Sequence, residues 1–145
     1  MPSSTNPSMN ADQKEPLRLL VLDDEPAIVR FLKALLEEEG LQVFEFTDPG
    51  QALAEYRQVR PHLVILDWIM APGFGGSEFL KKLRAFDREV PVVVISGYAN
   101  DMTQEEKKCL EECRVSEVIP KNLNMDNARE RILGIIAAHY PLHKP

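Results

Sequence analysis

Residues 17–26 read LRLLVLDDEP, a short apolar run that ends abruptly in three carboxylates and a proline. Such a run is typical of a strand covered on both faces, as in parallel sheets. A helical pattern follows directly, and Gly40 ends it as the expected C′ residue. The apolar residues of this pattern, spaced as one helix face, are Ile28, Phe31, Leu32 and Leu35. The stretch therefore predicts a buried strand, an acidic turn and an amphipathic helix.

The same alternation of apolar strand and helical pattern recurs along the chain. The expected strands are 17–22, 41–46, 62–66, 90–95 and 115–119. The second helix is expected at 49–59, with Asp48 as its N-cap. The third is expected to begin at 76 or 77 and to face inward with Phe79, Leu80, Leu83 and Phe86. The last two are expected at 102–112 and 126–139. Strands alternating with helices imply right-handed βαβ units and a parallel sheet with helices on both faces. We expect an α/β, flavodoxin-like, doubly wound (βα)5 fold with strand order 2-1-3-4-5, which opens a crevice between strands 1 and 3 at their carboxyl ends.

Composition restricts the class of protein. The chain has 145 residues, and its 17 Lys and Arg against 23 Asp and Glu leave a net charge of −6. That charge, with no run of five like charges, predicts neither nucleic-acid nor membrane-surface contact. No apolar stretch approaches the roughly 20 residues of a membrane span, and two cysteines are too few for a disulfide framework. We expect a cytoplasmic protein with a disordered leader at 1–16, one domain at 17–140 and a short tail at 141–145.

Polar side chains stand where four of the five strands end. They are Asp23, Asp24 and Glu25 after strand 1, Asp67 after strand 3, Ser96 after strand 4 and Lys121 after strand 5. Carboxylates gathered in one crevice repel one another, and Mg²⁺ or a lysine ammonium relieves that repulsion. Asp67 could then attack a phosphoryl group as nucleophile and form an acyl phosphate. Ser96 and Lys121 would contact the new phosphoryl oxygens.

Each of these residues also has an ordinary structural explanation. Residues 23–26 are equally typical of a helix N-cap with an acidic first turn and proline at N1. Asp67 alone is more often a turn residue, Ser96 an ordinary strand end and Lys121 a surface lysine. Only the combination at one sheet edge favours a site.

At these residues the sequence resembles the CheY-like receiver domain of bacterial response regulators, a module of two-component signalling. The resemblance covers about residues 17–139. The matching text is VLDDEP at 21–26, LVILDWIM at 63–70, GSEFLKKLR at 76–84, PVVVISG at 91–97 and the lysine at 121.

The resemblance implies a role for each residue that matches. Asp67 would be the phosphoacceptor. Asp23 and Asp24 would hold Mg²⁺ with Asp67, and the main-chain carbonyl of Ile69 would complete the protein ligands. The switch hydroxyl and the phosphate-binding lysine would be Ser96 and Lys121.

The resemblance also implies partners. A sensor histidine kinase or a phosphotransfer protein would donate the phosphoryl group, and a downstream protein or an output domain outside this chain would receive the signal. A homodimer stays open. The protein would not be an enzyme, apart from catalysing its own phosphorylation and dephosphorylation.

The chain departs from the family pattern at three places. Ala71 is an extra residue, so the aligned glycine, Gly76, stands nine residues past the acceptor aspartate. Asn122 stands where the family has a proline after its lysine, and Val118 where it has a switch aromatic. The loop and the readout are therefore expected to differ from the family's.

The residues two past the acceptor and two past the switch serine are Ile69 and Tyr98, which are bulky and do not orient water. We expect slow self-dephosphorylation. Two other functions stay open. A haloacid-dehalogenase-type phosphohydrolase would need an aspartate at position 69, and a flavodoxin-like cofactor binder would need amides and hydroxyls rather than carboxylates after strand 1.

Overall fold

The computed structural model describes residues 15–68, 75–97, 102–121 and 125–141. Five strands and five helices alternate along the chain. The strands are β1 (Arg18–Leu22), β2 (Gln42–Phe46), β3 (Leu63–Asp67), β4 (Val92–Ser96) and β5 (Glu117–Pro120). The helices are α1 (Pro26–Glu37), α2 (Pro49–Val59), α3 (Gly76–Phe86), α4 (Gln104–Glu112) and α5 (Met125–His139). All neighbouring strands are parallel, in the order β2-β1-β3-β4-β5, so the predicted fold and strand order are confirmed.

The ends of the elements follow local sequence signals. The Asp48 carboxylate accepts a hydrogen bond from the Gln51 amide at 3.0 Å, which confirms it as the N-cap of α2. Gly40 has a φ of +82°, a left-handed conformation that glycine adopts without strain. It stands two residues past the C-cap, Glu38, so it closes the turn after α1 one residue beyond the expected C′ position. Strands β3 and β4 each begin and end later than expected, so Asp67 and Ser96 are the last residues of their strands.

Hydrophobic clusters cover both faces of the sheet, because successive strand residues point to opposite faces. One cluster joins Leu20, Leu22, Val64, Leu66, Val92 and Val94 to side chains of α2, α3 and α4. The other joins Leu19, Val21, Leu63, Ile65, Val93 and Ile95 to side chains of α1 and α5. Every residue of β3 and β4 is buried. The sheet is therefore a packed platform, and the polar residues at its carboxyl edge are set by it.

The predicted inner face of α1 is partly wrong. The helix buries Val29, Leu32 and Leu36, whereas Phe31 is 47% exposed. Arg30 and Glu37 mark the exposed face of α1, and the spacing of Ile28, Phe31 and Leu35 describes a stripe beside the buried one, so the predicted face was rotated from the observed face. Phe86, expected on the inner face of α3, is likewise exposed at the end of that helix. Among the described helices, none has the length and apolar character needed to cross a membrane.

The predicted boundaries of the domain stay a prediction. The regular elements run from Arg18 to His139, whereas residues 1–14 and 142–145 lie outside the described part of the chain. The same holds for Ile69, Ala71, Tyr98 and Asn122.

Candidate functional site

Three aspartates meet at the carboxyl edge of the sheet. Asp67 ends β3 and Asp23 follows β1, and because Leu22 pairs with Leu66, the two aspartates leave neighbouring strands side by side. Asp23 is 3% exposed and Asp67 4%, while Asp24 is exposed. One carboxylate oxygen from each lies within 4.8 Å of the other two. The structure therefore brings the three sequence-predicted acids together.

Lys121 reaches this cluster from the end of β5. Its ammonium lies 3.1 Å from Asp23 Oδ2 and 3.4 Å from Asp67 Oδ1. Its backbone N–H donates to the Ser96 carbonyl at 2.9 Å, which holds the residue beside the end of β4. A third contact, 3.1 Å to Glu25 Oε1, gives that carboxylate a partner that the sequence analysis did not assign. The signal available in the sequence was its place in the run of acids after β1.

Asp23 is held by both of its oxygens. Oδ1 accepts the Glu25 backbone N–H at 2.9 Å, and Oδ2 faces Lys121. The alternative role of residues 23–26 as a side-chain cap for α1 is not observed: Glu25 occupies the N-cap position and its side chain makes no capping hydrogen bond. Its carboxylate faces the lysine instead.

Ser96 lies one residue beyond the register partner of Asp67. Ile95 pairs with Asp67 across β3 and β4, and Ser96 follows it, 1% exposed. The position places the residue next to the aspartate cluster on the adjacent strand. The predicted carbonyl ligand, Ile69, lies outside the described residues.

Burial and mutual repulsion determine the titration of these groups. Burial, and then the charge of Asp23, raise the pKa of Asp67 to about 6, although Lys121 opposes the shift. Burial also raises the pKa of Asp23, against the Glu25 amide and Lys121. Burial alone would lower the pKa of Lys121, but the hydrogen bond to Glu25 and the two buried aspartates outweigh it and raise that pKa. The lysine thus stays charged while the buried negative charge is only partly compensated.

The donor set of Asp23, Asp24 and Asp67 fits Mg²⁺. Hard carboxylate oxygens are the ligands that Mg²⁺ prefers, at 2.0–2.1 Å, so opposite ligands of an octahedral ion stand about 4.2 Å apart. The three oxygens lie within 4.8 Å of one another, so small side-chain movements suffice. The uncompensated charge gives a second reason for a cation here.

Gly76 fixes the far end of the loop that follows β3. Its N–H donates to the Trp68 carbonyl at 3.1 Å. A Cβ on Gly76 would lie 2.7 Å from that oxygen and 2.8 Å from the Asp67 carbonyl oxygen, closer than real contacts allow. Only glycine fits this approach of α3 to the end of β3. The steric contact therefore explains why a glycine stands nine residues past Asp67.

A link from this edge to α4 was not predicted from the sequence. Trp68 is 5% exposed, and its indole Nε1 donates to Glu106 Oε2 at 2.8 Å. Glu106 Oε1 accepts the Thr103 N–H at 2.9 Å, and Thr103 Oγ1 accepts the Glu106 N–H at 3.1 Å, a capping box at the start of α4. The spacing of threonine and glutamate signals this cap in the sequence, whereas the contact with Trp68 has no sequence signal.

Comparison with known proteins identifies the family. The family model described as the response regulator receiver domain matches residues 19–133, which is most of the chain. The chain belongs to this family. It is a phosphorylation-controlled receiver domain of two-component signalling, and the phosphohydrolase and cofactor-binder alternatives receive no support.

Individual relatives agree with this assignment. Sporulation initiation phosphotransferase F of Bacillus subtilis is 35% identical over 92 residues, which is 63% of this chain and 73% of that protein. The DNA-binding response regulator MtrA of Mycolicibacterium smegmatis is 40% identical over 80 residues, 55% of this chain. The crystal structure of the response regulator protein TrrA of Thermotoga maritima, in complex with Mg²⁺ and BeF, superposes with a TM-score of 0.69 at 28% identity, covering 82% of this chain and 98% of that one.

The matched region spans only 34% of the length of MtrA. The activity of such longer regulators is therefore not transferred to this receiver domain. At the level of the family, receiver domains bind Mg²⁺ at an acidic pocket and interact with a histidine kinase or phosphotransfer partner, and they are not enzymes in the usual sense.

Proposed function

We propose that Asp67 accepts a phosphoryl group from the phosphohistidine of a sensor histidine kinase or phosphotransfer protein. The observation that supports this is the position of Asp67, buried at the end of β3 with two acids within 4.8 Å and an ammonium at 3.4 Å. A carboxylate oxygen of Asp67 bonds to phosphorus while the phosphorus–nitrogen bond of the donor breaks. The imidazole nitrogen keeps that electron pair and takes up a proton from solvent.

The surrounding residues would hold the reacting group in place. Asp23 and Asp24, with Asp67 and the Ile69 carbonyl, would bind Mg²⁺, which when bound neutralises charge on the phosphoryl oxygens. Lys121 already lies against Asp67 and would move to a phosphoryl oxygen. The Ser96 hydroxyl, at the end of the neighbouring strand, would donate to another. Positioning and charge neutralisation account for most of such a transfer.

The phosphoacceptor is tested by mass. The purified protein is incubated with Mg²⁺ and a small acyl-phosphate donor, and the intact mass is recorded. We expect one added phosphoryl group, which is absent in Asp67→Asn and without Mg²⁺. Asp48→Asn is the matched control, since asparagine caps a helix as well as aspartate does and Asp48 is not one of the three clustered acids. An adduct that persists in Asp67→Asn would contradict the assignment.

Slow self-dephosphorylation belongs to the same proposal. The bulky side chains of Ile69 and Tyr98 would flank the acyl phosphate, and neither carries a carboxylate or amide that orients an attacking water. The time course of phosphoryl loss is compared between wild type and the double variant Ile69→Asn, Tyr98→Ala. The double variant should lose the group faster, and an equal or slower loss would refute this part of the proposal.

A cytoplasmic location and a downstream protein target or output domain complete the proposal. The two cysteines, Cys109 and Cys113, are free thiols on the same side of the sheet, which suits a reducing compartment. The hydrodynamic size of the protein, measured before and after phosphorylation, tests whether the signal includes dimer formation.

A further inference from the structure

Helix α4 is weakly anchored compared with the other helices around it. Its sequence, QEEKKCLEE, is polar, and Leu110 is its one buried residue, whereas α2 and α3 each bury four. Elements with few buried apolar contacts are the ones that open or shift at low cost. Contacts at the start of α4 therefore have an unusually large share in holding it.

One of those contacts leads directly to the phosphoacceptor. Trp68 is the residue after Asp67, and both of its backbone polar groups are hydrogen-bonded. Its N–H donates to the Ile95 carbonyl at 3.2 Å, and its carbonyl accepts from the Gly76 N–H at 3.1 Å. Its indole is packed in the core and donates to Glu106 at 2.8 Å. The backbone of Trp68 is therefore tied to β4 and to the start of α3, and its side chain to α4, so this residue links the end of β3 to the first turn of α4.

Glu106 divides its carboxylate between the strand and the helix. Oε2 accepts from the indole and Oε1 from the Thr103 N–H. The Thr103 amide and then the indole lower the pKa of Glu106, so the carboxylate is ionised at neutral pH and accepts both bonds. The cap of α4 and the hydrogen bond to Trp68 thus share one side chain.

On the basis of the proposed phosphorylation of Asp67, we propose that Trp68 and Glu106 are positioning residues that transmit the effect of this phosphorylation to α4. The hydrogen bond between them couples the end of β3 to the first turn of α4. This route does not use an aromatic side chain at position 118, where the chain has valine.

Hydrogen exchange of the first-turn amides of α4 tests the coupling, with and without Mg²⁺ and beryllofluoride as phosphoryl mimic. In the wild type we expect the exchange of these amides to change when the mimic binds. Trp68→Phe removes the indole donor and keeps an aromatic ring, so basal protection should fall about ten- to a hundred-fold, as for a lost hydrogen bond to a charged group, and the response to the mimic should disappear.

Two further variants separate coupling from simple destabilisation of the cap. Thr103→Ala removes the hydroxyl acceptor from the cap and leaves the Trp68–Glu106 bond, so the response should remain although basal protection falls. Glu106→Gln keeps the indole packing but has one acceptor oxygen for two donors, so the response should be reduced. Trp68 is the only tryptophan of the chain, so its fluorescence emission reports the loss of the indole hydrogen bond in Glu106→Gln.

The outcomes divide clearly. A full response in Trp68→Phe, or a response lost equally in Thr103→Ala, would overturn the coupling. Intact mass after acyl-phosphate treatment is measured on the same samples. A wild type that takes no phosphoryl group refutes the proposed function, whereas one that takes it without a change in α4 refutes only this inference.

Discussion

Replacing Asp67 by asparagine is expected to stabilise the fold in the absence of Mg²⁺. Burial and the charge of Asp23 raise the pKa of Asp67 from 3.8 to about 6. The folded state therefore holds more protons than the unfolded chain between these two values, and stability falls as the pH rises through them. At about 1.4 kcal/mol per pKa unit, the ionised carboxylate costs about 3 kcal/mol above pH 6. The neutral amide removes this cost, which corresponds to roughly 10 °C in Tm.

Urea unfolding, followed by far-UV circular dichroism from pH 4 to pH 8 with a chelator present, measures this cost. The free energy of unfolding of Asp67→Asn should exceed that of wild type by most of the about 3 kcal/mol at pH 7.5, and the difference should close towards pH 4. Asp48→Asn, which keeps the cap of α2, is the control for the same change of residue outside the acid cluster. Saturating Mg²⁺ should stabilise wild type, by about 2.7 kcal/mol at a hundred times its Kd, and the variant less. A variant no more stable than wild type at pH 7.5, or a difference in stability that does not depend on pH, would refute this cost of the buried carboxylate.

Three further substitutions test the packing and charges around the site. Gly76→Ala puts a Cβ 2.7 Å from a backbone oxygen and should lower the free energy of unfolding by about 1–3 kcal/mol. Gly134→Ala, in open space on α5, should raise the free energy of unfolding by up to about 1 kcal/mol, and equal Tm shifts in the two variants would contradict the steric argument. Lys121→Met leaves two buried carboxylates without their cation and should cost roughly 1–3 kcal/mol at pH 7.5, recovered at pH 4, so a loss independent of pH would count against the electrostatic explanation. Tyr56→Phe removes a hydroxyl that donates to Asp87 at 2.8 Å and should cost about 1–2 kcal/mol in urea unfolding; an unchanged midpoint would show that this bond contributes nothing.

The sheet and the place of the site were predictable because both follow from chain topology. Apolar strands that alternate with helices allow few arrangements, and in the observed order β1 and β3 are neighbours. Asp23, which follows β1, and Asp67, which ends β3, must then lie side by side. The confirmed cap at Asp48 is local in the same way, since it depends on residues three apart.

Features that depend on rotation or side-chain direction were not predictable. Phe31 was expected inside, but apolar residues occupy more than one side of α1, and the stripe chosen from their spacing lies beside the buried one. The hydrogen bond from Trp68 to Glu106 joins residues 38 apart and depends on how the indole is turned. The contact of Glu25 with Lys121 depends on which of three adjacent carboxylates turns towards the ammonium.

The energetics of the site require that several contacts share the response. Moving a two-state domain from 1:99 to 99:1 takes about 5.5 kcal/mol of differential stabilisation, and one hydrogen bond from Ser96 to a charged phosphoryl oxygen contributes about 1.5–3 kcal/mol. Lys121 can add to it by leaving Glu25 and Asp23 for the phosphoryl group. The bond between Trp68 and Glu106 can contribute a similar amount again at α4. Because no contact supplies the whole difference, loss of the Ser96 or the Lys121 contact alone should shift the balance of states by about ten- to a hundred-fold rather than lock the domain in one state.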